Sequence, residues 1–181
     1  MNRKKLSDRS TGRQGFTFAE VLVVVLISSF LIGGIYTILI AGKNSWELNR
    51  DRLELQQQLR TGLDWMRKDL RQAGVSTVSG VATDSAWHTS ATFQTPSGVS
   101  SGSVTWGGAA IQYHLGGTGN TQLLRSVGAQ DRVIAQNINL LQFRRTASDP
   151  SLIQISAQAQ KNTPQHGLIT IAVTTQERMR N

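Results

Sequence analysis

Cysteine is absent from the 181 residues, and with it go disulfides, thiolate metal sites and cysteine nucleophiles. The redox compartment is therefore not legible from thiols. Histidine is scarce. His88, His114 and His166 lack the H-x3-H or H-E-x-x-H spacing that sets two imidazoles on one helical face, so no metal site is expected. Charge is thin as well: Asp, Glu, Lys and Arg make up 17% of the chain and apolar residues 39%, which excludes a disordered polyelectrolyte. No Ser/His/Asp order and no paired carboxylates stand in a catalytic context. The glycine-rich pieces SSGSVTWGG and GGTGN have neither a P-loop lysine nor a G-x-G-x-x-G that opens a helix, and read as turns. No catalytic residue, no cofactor and no enzymatic activity are expected.

What the chain does have is unevenly placed. Residues 1–15 carry Arg3, Lys4, Lys5, Arg9 and Arg13 against Asp8 alone, a net of +4 out of the whole chain's +8. The 22 residues 21–42, VLVVVLISSFLIGGIYTILIAG, then contain no charge at all. A basic leader beside an apolar run faces anionic lipid on the cytoplasmic side, which accounts for the basic excess without nucleic acid as a partner. As a helix the run reaches roughly 33 Å against a hydrocarbon core of ~30 Å. It holds no proline, and Ser28, Ser29 and Thr37 are placed to return their hydroxyls to the preceding turn.

Two other readings of the run fit less well. A buried helix of a soluble core needs more surrounding protein than this chain offers. A secretory signal has an apolar region of about 7–15 residues and a small-x-small cleavage site, whereas this run is longer and continues into the charged helical sequence KNSWELNRDRLELQQQLR. Basic residues are denser before the run than after it, where Lys43, Arg50, Arg52 and Arg60 follow, so the C-terminus is expected outside. Glu20 stands at the N-terminal edge of the run, inside GFTFAEVLVVV. A carboxylate in hydrocarbon costs roughly 2.5 kcal/mol or more at the bilayer centre. Either Glu20 has a partner there or it lies shallow enough to reach the headgroups.

The segment RQGFTFAEVLVVVLISSFLIGG resembles the type IV prepilin leader and N-terminal helix shared by pilins, minor pilins and the pseudopilins of type II secretion. The resemblance implies that prepilin peptidase cuts after Gly15, that Phe16 becomes the N-methylated mature N-terminus, and that Glu20 is the glutamate needed for assembly. Phe18 and Ala19 depart from the common FTLIE or FTLVE but stay apolar. A cut after Gly15 would leave 166 residues with a net charge of +4. It would also create an α-amine on Phe16 able to pair with the Glu20 carboxylate of a neighbouring subunit in a low-dielectric bundle. The segment 55–74, LQQQLRTGLDWMRKDLRQAG, with the hairpin sequence IQYHLGGTGNTQLLRSV, resembles minor pilins of the PilW type and the J-type minor pseudopilin. Such proteins join a small complex that initiates the filament or sits at its tip. Their implied partners are other minor pilins or pseudopilins and the major subunit through the N-terminal helix, prepilin peptidase, and an inner-membrane assembly platform. The implied place is the bacterial inner membrane, single pass with a periplasmic C-terminus, and then the filament. A single-pass protein with a periplasmic ligand-binding or enzymatic domain is the alternative.

Past the run, Leu48, Leu55, Leu59, Leu63, Met66, Leu70 and Ala73 recur at spacings of seven, four or three and form one apolar stripe. Gly74 reads as the helix stop. Gly33-Gly34 reads as a site of close helix packing, or, by the resemblance, of local unwinding. From residue 75 the composition turns to Ser, Thr and Gly, with strand-length segments at 110–115, 121–127, 138–144, 152–157 and 168–175 and turns at 116–120, 148–150 and 162–167. Trp46, Trp65, Trp87 and Trp106 read as interfacial or core anchors. The expected fold is α+β and pilin-like: a long N-terminal helix, half of it transmembrane, packed against a mostly antiparallel C-terminal sheet. The expected divisions are a leader at 1–15, an assembly helix at 16–42, an amphipathic continuation at 43–74 and a β-rich periplasmic domain at 75–181.

Overall fold

The structure, a computed structural model, describes residues 15–180. The leader charges between Arg3 and Arg13 lie outside the described residues. The chain is α+β, and its first element is the 53-residue helix α1, Phe18–Leu70. Val and Ile in the apolar run lower helix propensity by only a few tenths of a kcal/mol each, and a helix pairs its polar backbone groups within the segment, which an apolar surrounding demands. Ser29 Oγ donates to Val25 O at 2.7 Å and Thr37 Oγ1 to Gly33 O at 2.9 Å, the back-bonds expected of them, whereas Ser28 makes none. Helical backbone continues unbroken through Gly33-Gly34.

Two compact units divide between Ser45 and Trp46. In the first, every described residue but the half-buried Asn44 is solvent-exposed, Phe18 at 82%. In the second, the stripe of α1 is covered: Leu55, Leu59, Leu63, Met66, Leu70 and Ala73 are buried and Leu48 packs partly against them. Each fully buried leucine is worth about 2 kcal/mol relative to leaving it in water. Gly62 on the same face is buried, and a Cβ there would lie 2.6 Å from Leu123, so its bare Cα lets the sheet approach the helix.

The covering layer is antiparallel throughout its ladders. A four-stranded sheet in the order β1-β4-β5-β6 comprises Ala91–Phe93, Ile111–Gly116, Gln122–Val127 and Gln130–Gln136. A hairpin pairs β2 (Pro96–Ser100) with β3 (Ser103–Trp106), and a three-stranded sheet runs β7-β8-β9 from Ile138–Thr146 through Asp149–Thr163 to Gly167–Arg178. Phe93, Tyr113, Phe143, Ile153 and Ile155 share one core with the helix stripe. All three expected turns are hairpin corners. One joins β4 to β5, where Gly117 adopts φ 71° and a Cβ would strike the Gln122 side chain, a conformation that glycine takes without strain.

Three expectations change. Gly74 does not end the helix by a left-handed turn: its φ of −77° and ψ of 131° are extended. The last turn instead tightens through Gln72 N to Asp69 O and Ala73 N to Leu70 O. Glycine is needed at 74 for space, because a Cβ would lie 2.8 Å from the Trp106 ring. Strand β6 is a surprise. It carries an extra residue opposite Leu123/Leu124, and this bulge destroys the alternation that would have announced it. The tryptophans are not in the core: Trp46 is 62% exposed and Trp65 and Trp106 are half-buried.

Candidate functional site

The start of α1 is built by Thr17. Its backbone oxygen accepts from Glu20 N at 3.0 Å and Val21 N at 3.2 Å, and its Oγ1 accepts from Glu20 N at 3.3 Å. Thr17 is thus the N-cap and Glu20 the third helical residue, the spacing of a capping box. A carboxylate in the first turn also meets the positive end of the helix dipole. Gly15 and Phe16 precede the cap as non-helical chain, Phe16 81% exposed. The three residues singled out from sequence, Gly15, Phe16 and Glu20, therefore lie on either side of the helix start: an accessible peptide bond between Gly15 and Phe16, then a capped helix that presents Glu20 on its exposed surface. Behind them, α1 is long and apolar enough to cross a membrane.

Residues 10–36 match the prokaryotic N-terminal methylation motif. The chain is type IV prepilin-like. The motif covers the cap, Glu20 and the apolar run as far as Tyr36, and marks a pilin-like processed protein whose helix fits membrane anchoring. Residues 10–14 of the match lie outside the described residues. Comparison with curated proteins gives no match, and comparison with solved structures gives none either.

In the second unit of this prepilin-like chain the buried polar groups join elements together. Asp69, 7% exposed, accepts from Tyr113 Oη at 2.7 Å and from Arg125 Nε at 2.6 Å. Burial, and then the Asp69 hydrogen bond, push the Tyr113 phenol well above its ordinary range. Lys161 bridges Asp51 at 3.0 Å and Glu54 at 2.7 Å, and those hydrogen bonds, Glu54 foremost, raise its ammonium pKa. Glu177 forms an ion pair with Arg67 at 2.7 Å and accepts a hydrogen bond from Arg71 Nε at 3.1 Å. Arg145 is buried with no carboxylate partner among the described residues. It donates to the carbonyls of Pro150, Val81 and Val75 at 3.0–3.4 Å, pinning the strap after α1 to the β7–β8 corner, and desolvation lowers its pKa.

These groups were invisible to sequence reading, since Asp69 and Arg125 are 56 residues apart and no spacing rule links them. Each is consumed by a structural partner. The His88 ring meets Asp84, at 3.1 Å on the surface, and among the described residues no group of three His, Cys, Asp or Glu is placed to hold a metal ion.

Proposed function

We propose that the chain is a minor subunit of a type IV filament system, taking part in initiation or assembly of a pilus or pseudopilus. In this reading prepilin peptidase cleaves between Gly15 and Phe16, Phe16 is N-methylated, and Glu20 recruits the subunit through the N-terminal amine of a neighbour. The protein waits in the inner membrane with its C-terminal unit in the periplasm. Its partners are other minor pilins or pseudopilins, the major subunit and the inner-membrane assembly platform. The observation that carries the proposal is the coincidence, at one helix start, of the methylation motif over residues 10–36 with a capped, exposed Glu20 and an unburied apolar run. The PilW-like and J-type character of segment 55–74 supports a minor rather than a major subunit. Physical chemistry supports the role of Glu20: an uncompensated carboxylate beside hydrocarbon is costly, and a neighbour's amine removes that cost.

Glu20→Ala tests the proposal. The stripe, the sheets and the buried ion pairs all lie in the other unit, so the variant is expected to accumulate in the membrane at normal level. It is expected to be strongly depleted from sheared filaments or from the co-purified minor-subunit complex. Incorporation equal to that of the wild type overturns the assignment.

A further inference from the structure

Strand β9 is an edge strand unlike the other edges among the described residues. Twelve residues, Gly167–Arg178, pair with β8 in unbroken register on one side. On the other side β9 makes no backbone hydrogen bond to any described residue. Free edges invite pairing with other chains, and proteins blunt them with charge, proline, bulges or shortness. Strand β6 carries a bulge together with Asp131 and Arg132, β2 carries Pro96 and a register shift, and β1 has three residues. The first ten residues of β9, GLITIAVTTQ, have none of these devices.

Beside this edge, in the same unit, a groove of about 560 Å³ runs between α1 and β9. Leu53, Ile171 and Val173 line it, Leu53 at 57% exposure, and Leu168 further along the strand is 60% exposed. Cations outnumber anions on its rim: Asp64 and Glu177 stand against Arg60, Arg67, Lys68 and Arg71. Arg67 and Arg71 pair with Glu177, Arg67 also lies 3.9 Å from Asp64, and Arg60 on the groove and Lys68 beside it make no ion pair with a described residue.

We propose that β9 is a docking strand: an extended acidic segment of another protein chain adds to its free edge. Main-chain hydrogen bonds would supply the affinity. Apolar side chains at alternate positions of the incoming strand would fill the groove, and a carboxylate would meet Arg60. A second copy of this chain is a poorer occupant, because pairing through the same edge would bring two sets of Arg60 and Lys68 to one seam. The proposal rests on the second unit and is independent of how the N-terminus is processed.

The test uses the full chain in detergent micelles and a fluorescent synthetic peptide of alternating valine and threonine with a glutamate at each end. Fluorescence anisotropy is expected to show saturable binding, and hydrogen exchange is expected to show new protection of β9 amides. The same peptide N-methylated at alternate residues should bind about tenfold or more weakly, since several hydrogen bonds are lost while the protein is untouched. A lysine-ended peptide should also bind more weakly, and Arg60→Glu should reverse that preference. Equal binding of the N-methylated peptide, or no saturable binding by any of the peptides, overturns the proposal. So does a dimer, seen by sedimentation, that protects β9 without peptide, because it gives the edge to a second copy.

Discussion

Replacing Asp69 with alanine should be among the most damaging single polar substitutions in the C-terminal unit, and its cost can be worked from its two partners. The carboxylate accepts from the Tyr113 phenol at 2.7 Å and from the Arg125 guanidinium at 2.6 Å, and Tyr113 is fully buried. Hydrogen bonds to a charged group contribute roughly 1.5–3 kcal/mol each, and stripping one member from a buried ion pair costs about 3–5 kcal/mol. The Arg125 side chain keeps 20% of its surface in water and lies over the Trp65 ring at 5.8 Å, so it retains some compensation. We therefore expect about 3 kcal/mol for Asp69→Ala, the low end of that range. Tyr113→Phe removes one hydrogen bond and leaves the ion pair standing, so about 1.5 kcal/mol, the low end of the range for a bond to a charged group, is expected. Urea unfolding of the full chain in micelles, followed by tryptophan emission, measures both, and Trp65 reports directly on the site. Equal costs for the two variants, or a cost below about 0.5 kcal/mol for Asp69→Ala, would refute the reasoning by showing that the pair behaves as a surface contact.

Alkali should weaken the same unit. The Tyr113 phenol and the Lys161 ammonium both hold their protons more tightly than their ordinary values of 10.0 and 10.5. The unfolded chain releases these protons where the folded chain retains them, so stability is full below about pH 10 and falls as pH rises above it toward the folded values. Urea midpoints between pH 8 and pH 11 check this, and Tyr113→Phe combined with Lys161→Met should flatten the decline. Gly74→Ala meets the Trp106 ring at 2.8 Å on a backbone that would otherwise accept alanine. An overpacking cost of about 1–3 kcal/mol is expected, partly relieved by Trp106→Val in the double variant. A cost for Gly74→Ala unchanged by that second substitution would contradict the steric account.

The long helix was legible because its signals are local: an uncharged run, then a stripe at spacings of three, four and seven that the core buries from Leu55 to Ala73. The strands at 110–115, 121–127 and 138–144 were legible in place, and β8 and β9 were underestimated in length because their polar ends, such as Lys161 and Gln176, carry no alternating apolar pattern. Strand β6 was hidden by its bulge, and β1 to β3 by shortness and by residues such as Pro96 and Gly98, which read as turn formers. At the N-terminus, Gly15, Phe16 and Glu20 could be singled out together because the motif that spans them is contiguous in the chain. The groove beside β9 was not legible, since Leu53 and Val173 are brought together by the fold across 120 residues.

The most direct measurement of the account is the mass of the N-terminal peptide from membrane-extracted protein, made in a host with active prepilin peptidase. The account predicts a chain that begins at Phe16, carries one methyl group on its α-amine, and lacks the fifteen leader residues. A Gly15→Ala variant should shift the population toward the uncut form. An intact N-terminus starting at Met1 in the unaltered chain, in the same host, would contradict the central claim.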